Sequence, residues 1–307
     1  MLIRVADALY WMSRNIERAE KTAGLLSVQL VQVLETSEDD LLVQQEFDTA
    51  LNIAASSGEA EKIRKNGNIA MYQVLEYLLF EQDNPNAVLN CVRTARENAR
   101  SVRDHINHDL WQVINVFYLD VKFAKFEDFT DYQMQNLLRR VKMTSLSVQG
   151  VIESTTMRGM PYQMMKVGKW MERAEYTQRT LQAISERLEG DPSSIRYYMR
   201  QALQLVNGTE AFMTQKNPTM DPKPILSFII GHSDFPGSIH YCVRRANKAI
   251  EKMQGPQGSN YTQFLFQEIN VIIERVEQLA FEDIDLTEEI DQLKTYYTPL
   301  QVGEYNR

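Results

Sequence analysis

Apolar residues near the start of the chain recur at helical spacing. Val5, Leu9, Met12, Ile16, Ala19, Ala23, Leu26, Leu30 and Val33 step by four and three without a break, which sets them along one stripe of a helix about eight turns long. A second seam, Val88, Val92, Ala95, Ala99, Val102 and Ile106, follows the stretch DNPNA at 83–87. An Asp or Asn ahead of a proline reads as a helix start, with Asp83 or Asn84 capping orphan amides and the proline in the first turn.

These patterns recur along the chain. ERAEKT at 17–22 returns as ERAEYT at 172–177, and DNPNAVLNCVR at 83–93 returns without a gap as DFPGSIHYCVR at 234–244. The preceding apolar runs, YLLF at 77–80 and FIIG at 228–231, stay in register. Two blocks in the same order at nearly the same offset predict one helical unit built twice, about 1–150 and 151–307. With no Gly/Ser/Pro-rich or charged linker between them, the two repeat units are expected to form a single domain over 1–307.

Composition points the same way. The 307 residues are 44% apolar, enough to fill a core, and contain only 13 Gly and 9 Pro. A multi-helix, all-α bundle follows. The net charge of -8 argues against a broad nucleic-acid surface, because neutralising phosphates takes clustered Lys and Arg in excess. No apolar run approaches the roughly 18 residues of a membrane span, and the first residues lack a secretory apolar core, so the expected location is the cytoplasm. Cys91 and Cys242 sit in no metal-ligand pattern and read as buried core thiols.

Candidate chemistry centres on the repeated Glu-Arg-Ala-Glu. At about 100° per residue, Glu20 projects close to Ile16 and into the packed face, whereas Glu17 lies on its shoulder. Glu172 and Glu175 are their counterparts. Asp7, Trp11, Arg14 and Arg18 form a stripe on the opposite side, matched by Tyr162, Lys166, Lys169 and Arg173. A buried carboxylate needs a partner. Glu17, Glu20, Glu172 and Glu175 are therefore either packing residues, with Glu20 paired to Arg93 and Glu175 to Arg244, or acid/base groups meeting in a polar centre. Arg93, Arg96, Arg100 and Arg103 line one flank of the second seam and suit carboxylates or phosphates. Arg244 keeps the first of these positions in the second copy, joined by Arg245, Lys248 and Lys252.

Metal chemistry finds little footing. Glu-x-x-Glu replaces the Glu-x-x-His of di-iron bundles, RDHINHD at 103–109 offers ligands from one turn only, and Glu38, Asp39 and Asp40 read as a solvated turn. No metal or cofactor is expected. ESTTMRGMPYQ at 153–163 reads as a helix-to-helix junction.

MLIRVADALYWMSRNIERAEKTAGLL and TMRGMPYQMMKVGKWMERAEYTQRTL, with NPNAVLNCVRTARENARSVRDHI and FPGSIHYCVRRA, resemble in order four segments of the bacterial alpha-E domain family. Family features fall on Trp11, Arg14, Glu17, Arg18, Glu20, Glu172, Arg173 and Glu175. Departures are Lys169 for the usual Arg, Glu175 for the usual Asp, and a less acidic segment around Trp111. The resemblance implies an all-helical protein whose partner is a circularly permuted ATP-grasp ligase, with a transglutaminase-like protease in the same company. It thus implies a non-catalytic helical partner or scaffold in peptide synthesis or modification. The alternative is an enzyme using the paired motifs for acid/base or metal-assisted chemistry.

Overall fold

The computed structural model describes residues 3–35, 41–54, 63, 70–190, 194–253, 270 and 274. Glu38, Asp39 and Asp40 lie outside the described residues, as does most of the chain beyond 253. Among the described residues all regular structure is helical, as the periodicity predicts. No helix there is long and apolar enough to cross a membrane.

The chain divides into two compact units, Met1–Lys169 and Trp170–Arg307. Unit one contains α1 (Ile3–Glu35), α2 (Leu41–Ala54), α3 (Met71–Leu79), α4 (Val88–Ser101), α5 (His108–Val121), α6 (Asp131–Thr155) and the first part of α7 (Met160–Gly190). The division therefore falls inside α7, later than the 150/151 boundary read from the repeated motifs.

In unit one α2, α3, α4 and α6 pack on α1, and α5 packs on α4 and α6. The seam of α1 is buried as expected, from Val5 through Leu30. Its other sides are also enclosed: Ser13, Arg14, Asn15, Glu17 and Lys21 are buried too. A one-faced amphipathic helix is thus the wrong picture for this stretch, because neighbours wrap it. Ser145 of α6 donates its hydroxyl to the Ile16 carbonyl at 3.0 Å. A Cβ on Gly168 would stand 2.4 Å from the Tyr10 carbonyl oxygen, so only glycine allows α7 this close to α1.

Unit two holds the rest of α7 with α8 (Ile195–Leu205), α9 (Thr209–Met213), α10 (Pro222–Gly231) and α11 (Ile239–Met253). α10 packs on α8 and α11, and α9 on α8. Phe228 stacks on Phe235 at 4.5 Å and meets Phe212 edge-on at 5.4 Å. Asn207 ends α8 in the left-handed region at φ 55, and the Gly208 N–H returns to the Leu203 carbonyl at 2.7 Å. The Thr177 hydroxyl ties α7 to the Gly237 carbonyl at 2.9 Å.

The two proline turns are built alike. Ala87 N–H bonds the Asn84 carbonyl at 3.0 Å, and Ser238 N–H bonds the Phe235 carbonyl at 2.9 Å. Cys91 Sγ points at the Pro85 carbonyl and Cys242 Sγ at the Pro236 carbonyl; both are buried thiols outside any disulfide, as expected. Capping differs from expectation. α4 begins at Val88, after the proline, and its N-cap Ala87 has no side chain to offer. Asn84 is instead a fully buried staple: its amide donates to the Tyr77 carbonyl at 3.0 Å, and its Oδ1 accepts from Asn86 N–H at 3.0 Å. In the second turn the cap is Ser238, whose Oγ accepts from Tyr241 N–H at 3.0 Å.

Candidate functional site

Around the first Glu-Arg-Ala-Glu, Glu20 is buried as expected, and Glu17, expected on the shoulder, is enclosed with it. Glu17 is 1% exposed and Glu20 6%; in the second motif Glu172 is 0% exposed while Glu175 is only half-buried. The first glutamate of each motif is enclosed, whereas the second is enclosed only in the first motif. Lys21 stands between the two carboxylates of its turn, 3.9 Å from Glu17 Oε1 and 3.1 Å from Glu20 Oε2. The Glu20 contact is an ion pair without hydrogen-bond alignment, since that oxygen has no hydrogen-bond partner. Glu172 meets Arg179, seven residues on in α7, at 3.5 Å.

The pairs expected from the repeat are not formed. Arg93 and Arg244 are exposed, and among the described residues neither makes an ion pair within 4 Å. The cause is register: both arginines project from the solvent side of their helices, and in the first motif Lys21 reaches Glu20 from within α1.

Arg14 overturns its expected outward position. It is 2% exposed, its guanidinium lies 5.1 Å from the Trp11 ring centroid and 5.6 Å from that of Tyr10, and Nη1 donates to the Tyr10 hydroxyl at 3.2 Å. Arg18 is half-buried and donates to Asn86 Oδ1 at 2.8 Å, tying α1 to the proline turn before α4. In α7, Lys169 and Arg173 are half-buried, and Arg173 stacks on Trp170 at 5.1 Å. Stacked arginines of this kind gain from the ring quadrupole, the more so where the guanidinium is desolvated as at Arg14.

The arginine flank of α4 is an aromatic clasp. Arg96 lies over Trp111 at 5.4 Å and Tyr118 at 5.2 Å, and its Nε donates to Asn115 Oδ1 at 3.1 Å. Arg103 covers the same indole at 4.8 Å. Glu97 pairs with Arg96 and, at 2.7 Å, with Arg100. Partial burial pushes the Glu97 carboxyl up, but the Arg96 hydrogen bond and the two guanidinium charges outweigh it and hold the group below the ordinary glutamate value. Trp111 and Tyr118 were absent from the sequence-derived candidates. The signal was present as ring residues seven apart on the next helix, the spacing that returns a side chain to the same face.

A further cluster lies at the α6–α7 junction, where residues 156–159 join the two helices as the stretch at 153–163 predicts. Glu153 accepts from Lys166 Nζ and from the Tyr162 hydroxyl at 2.8 Å, and Arg158 stacks on the Tyr162 ring at 4.3 Å. Burial raises the Glu153 carboxyl, while Lys166, Tyr162 and Arg158 lower it further, so the group stays acidic. His105 ends a 3-10 turn and His108 starts α5, so RDHINHD does not form one helical face. Among the described residues no three metal-capable side chains gather.

The chain is matched from residue 1 to 303 by the family model Alpha-E, described as a predicted alpha-helical domain with a conserved ER motif. It belongs to the Alpha-E family. Glu17–Arg18 and Glu172–Arg173 supply Glu-Arg pairs of the kind that description names. Similar curated proteins are the uncharacterised Mb2597 of Mycobacterium bovis and Rv2567 of Mycobacterium tuberculosis, each 21% identical over 295 residues. The match covers 92% of this chain but 33% of either relative, so the chain spans about a third of their length. No solved structure matches.

Proposed function

We propose that this Alpha-E chain is a non-catalytic helical partner of an ATP-grasp-family ligase, acting as its scaffold in a peptide-synthesis or peptide-modification step. The observation that carries the reading is the share of the relatives it matches. An Alpha-E segment that fills only 33% of a longer chain is accompanied there by further protein, and a module found so linked suits a partner role. The motif geometry supports the same reading. Glu17 and Glu172 are enclosed and salt-bridged, Arg14 is stacked between rings, and Arg18 staples a turn, all of which are packing duties.

The surface offered to a partner is the exposed side of α4 and the turn after it, where Arg93 and Arg100 project from the helix and Arg103 from the 3-10 turn that the Trp111 clasp holds. A clustered positive edge on an acidic chain steers association with an acidic surface. A transglutaminase-like protease is the second partner in this scheme, acting on the peptide product. Co-purification with the ATP-grasp ligase and ligase turnover with and without this chain test the proposal. Binding that weakens when Arg93, Arg100 and Arg103 are changed together to Gln is expected; no complex and unchanged turnover would rule the partnership out.

A further inference from the structure

Unit two carries a cleft that none of the motif chemistry uses. It measures about 360 Å3, lies beside α11, and is walled by Tyr241, Arg244, Arg245 and Lys248 with Asp234 at its rim and Glu251 farther along the helix. The first four share a face at steps of three, one and three. Volume alone puts it at the lower end of small-ligand sites.

Charge makes the cleft unusual. Arg244, Lys248, Asp234 and Glu251 are all exposed, and among the described residues none makes an ion pair within 4 Å. Lys248 and Glu251, opposite charges three residues apart on α11 and so placed to pair, stand apart here. Arg245 is held by ring stacking, 5.8 Å from Tyr241 and 5.9 Å from Trp170, which fixes one edge of the basic wall. At the floor Asn247 is 9% exposed. Its Nδ2 donates to Asn270 Oδ1 at 3.0 Å, but its own Oδ1 is enclosed without a hydrogen-bond partner. An enclosed acceptor left open costs free energy unless a donor reaches it.

We infer that this cleft binds a short acidic peptide, with Arg244, Arg245 and Lys248 taking its carboxylates and Asn247 Oδ1, Asp234 and Glu251 taking its N–H donors. The acceptors decide the ligand class. A simple carboxylate offers only acceptors, which leaves Asn247 Oδ1 open, and a phosphate, though it keeps a hydroxyl donor, sets a concentrated anion against Asp234 and Glu251. A peptide presents carboxylates and N–H groups side by side. The inference rests on unit two's own geometry and stands apart from the ligase partnership.

The test uses the full chain alone, titrated calorimetrically with triglutamate, with triglutamine and inorganic phosphate as comparators. Saturable triglutamate binding is expected, with triglutamine and phosphate each weaker by at least tenfold. R244Q and K248Q should each weaken triglutamate roughly tenfold, the range of one charge-assisted hydrogen bond. Both side chains are exposed, so circular dichroism should show an unchanged fold. Phosphate binding as tightly as triglutamate would make this a bare anion site. Absence of triglutamate binding, or binding indifferent to both variants, would overturn the assignment. Loss of ligase docking without loss of triglutamate binding would touch only the function proposed above.

Discussion

Glu17 and Glu20 lie a single turn apart, and both are enclosed where angular position alone buries only Glu20. Projection around a helix assumes one buried face, and by that measure Glu20 is the core residue. Because neighbours cover more than one face of α1, burial depends on which neighbour stands opposite, and that is tertiary information absent from local spacing. The need for a partner was legible in the motif; the partners were not, since Lys21 rather than Arg93 stands by Glu20, and it is Glu172, not Glu175, that is fully enclosed and meets Arg179. Two expected outcomes follow from this geometry. Glu172→Ala leaves Arg179 facing an enclosed hole and should cost about 3 kcal/mol, whereas Glu175→Ala at its half-buried site should cost under about 1 kcal/mol. Chemical denaturation of the two variants would compare them directly, and equal losses would contradict the burial order. Gly168→Ala gains helix propensity but drives a methyl against the Tyr10 carbonyl, backbone that cannot rotate away. A net loss of about 1–3 kcal/mol is expected, and a gain in melting temperature would show that α7 can back off.

Helices themselves were readable from periodicity, since the seams at 5–30 and 88–102 are buried as spaced. Their fastenings were less readable. Thr130 and Gln133 cap α6 reciprocally, and Asn107 caps α5 by accepting from Leu110 N–H at 2.8 Å, as short polar side chains before a helix predict. By contrast the turn before α4 uses Asn84 and Asn90 on carbonyls, a long-range staple no capping rule foresees. The Trp111 clasp binds α4 to α5 through guanidinium planes. Arg96→Lys keeps the charge but loses the planar stack and the Asn115 bond, so it should lose most of the stability that Arg96→Ala loses, about 1–2 kcal/mol. If the lysine variant melts like the parent, charge alone suffices there. The α6–α7 junction predicts a pH effect. The Glu153 carboxyl is held below its ordinary value in the fold, so its stabilisation is present above the unfolded pKa of about 4.3 and fades as pH falls through the lower folded value. Melting temperature followed from pH 7 into this acid range should fall less steeply in Glu153→Gln than in the parent.

Across the whole chain, sequence repeats and spatial units divide at different places. The repeated motifs suggest a boundary near 150, whereas contacts gather 1–169 into one unit. The reason lies in residues 151–169. Ile152 belongs to the unit-one core, Glu153 anchors Lys166 and Tyr162, and Gly168 sits against Tyr10. A repeat records which segments resemble each other, while a unit records which segments hold each other in place, so only the first can be seen without coordinates. A fragment ending at 150 therefore loses the end of α6 and the whole of α7's share of the core, although the motif pattern makes it look complete. Expressed separately, residues 1–169 should give a cooperative thermal transition and residues 1–150 a broad, low-temperature one, since the missing stretch includes the buried Met164, Met165 and Val167. Circular dichroism melts of the two fragments decide it. Equal melting would mean that the first motif copy folds on its own, and that the extra residues decorate unit one without sustaining it.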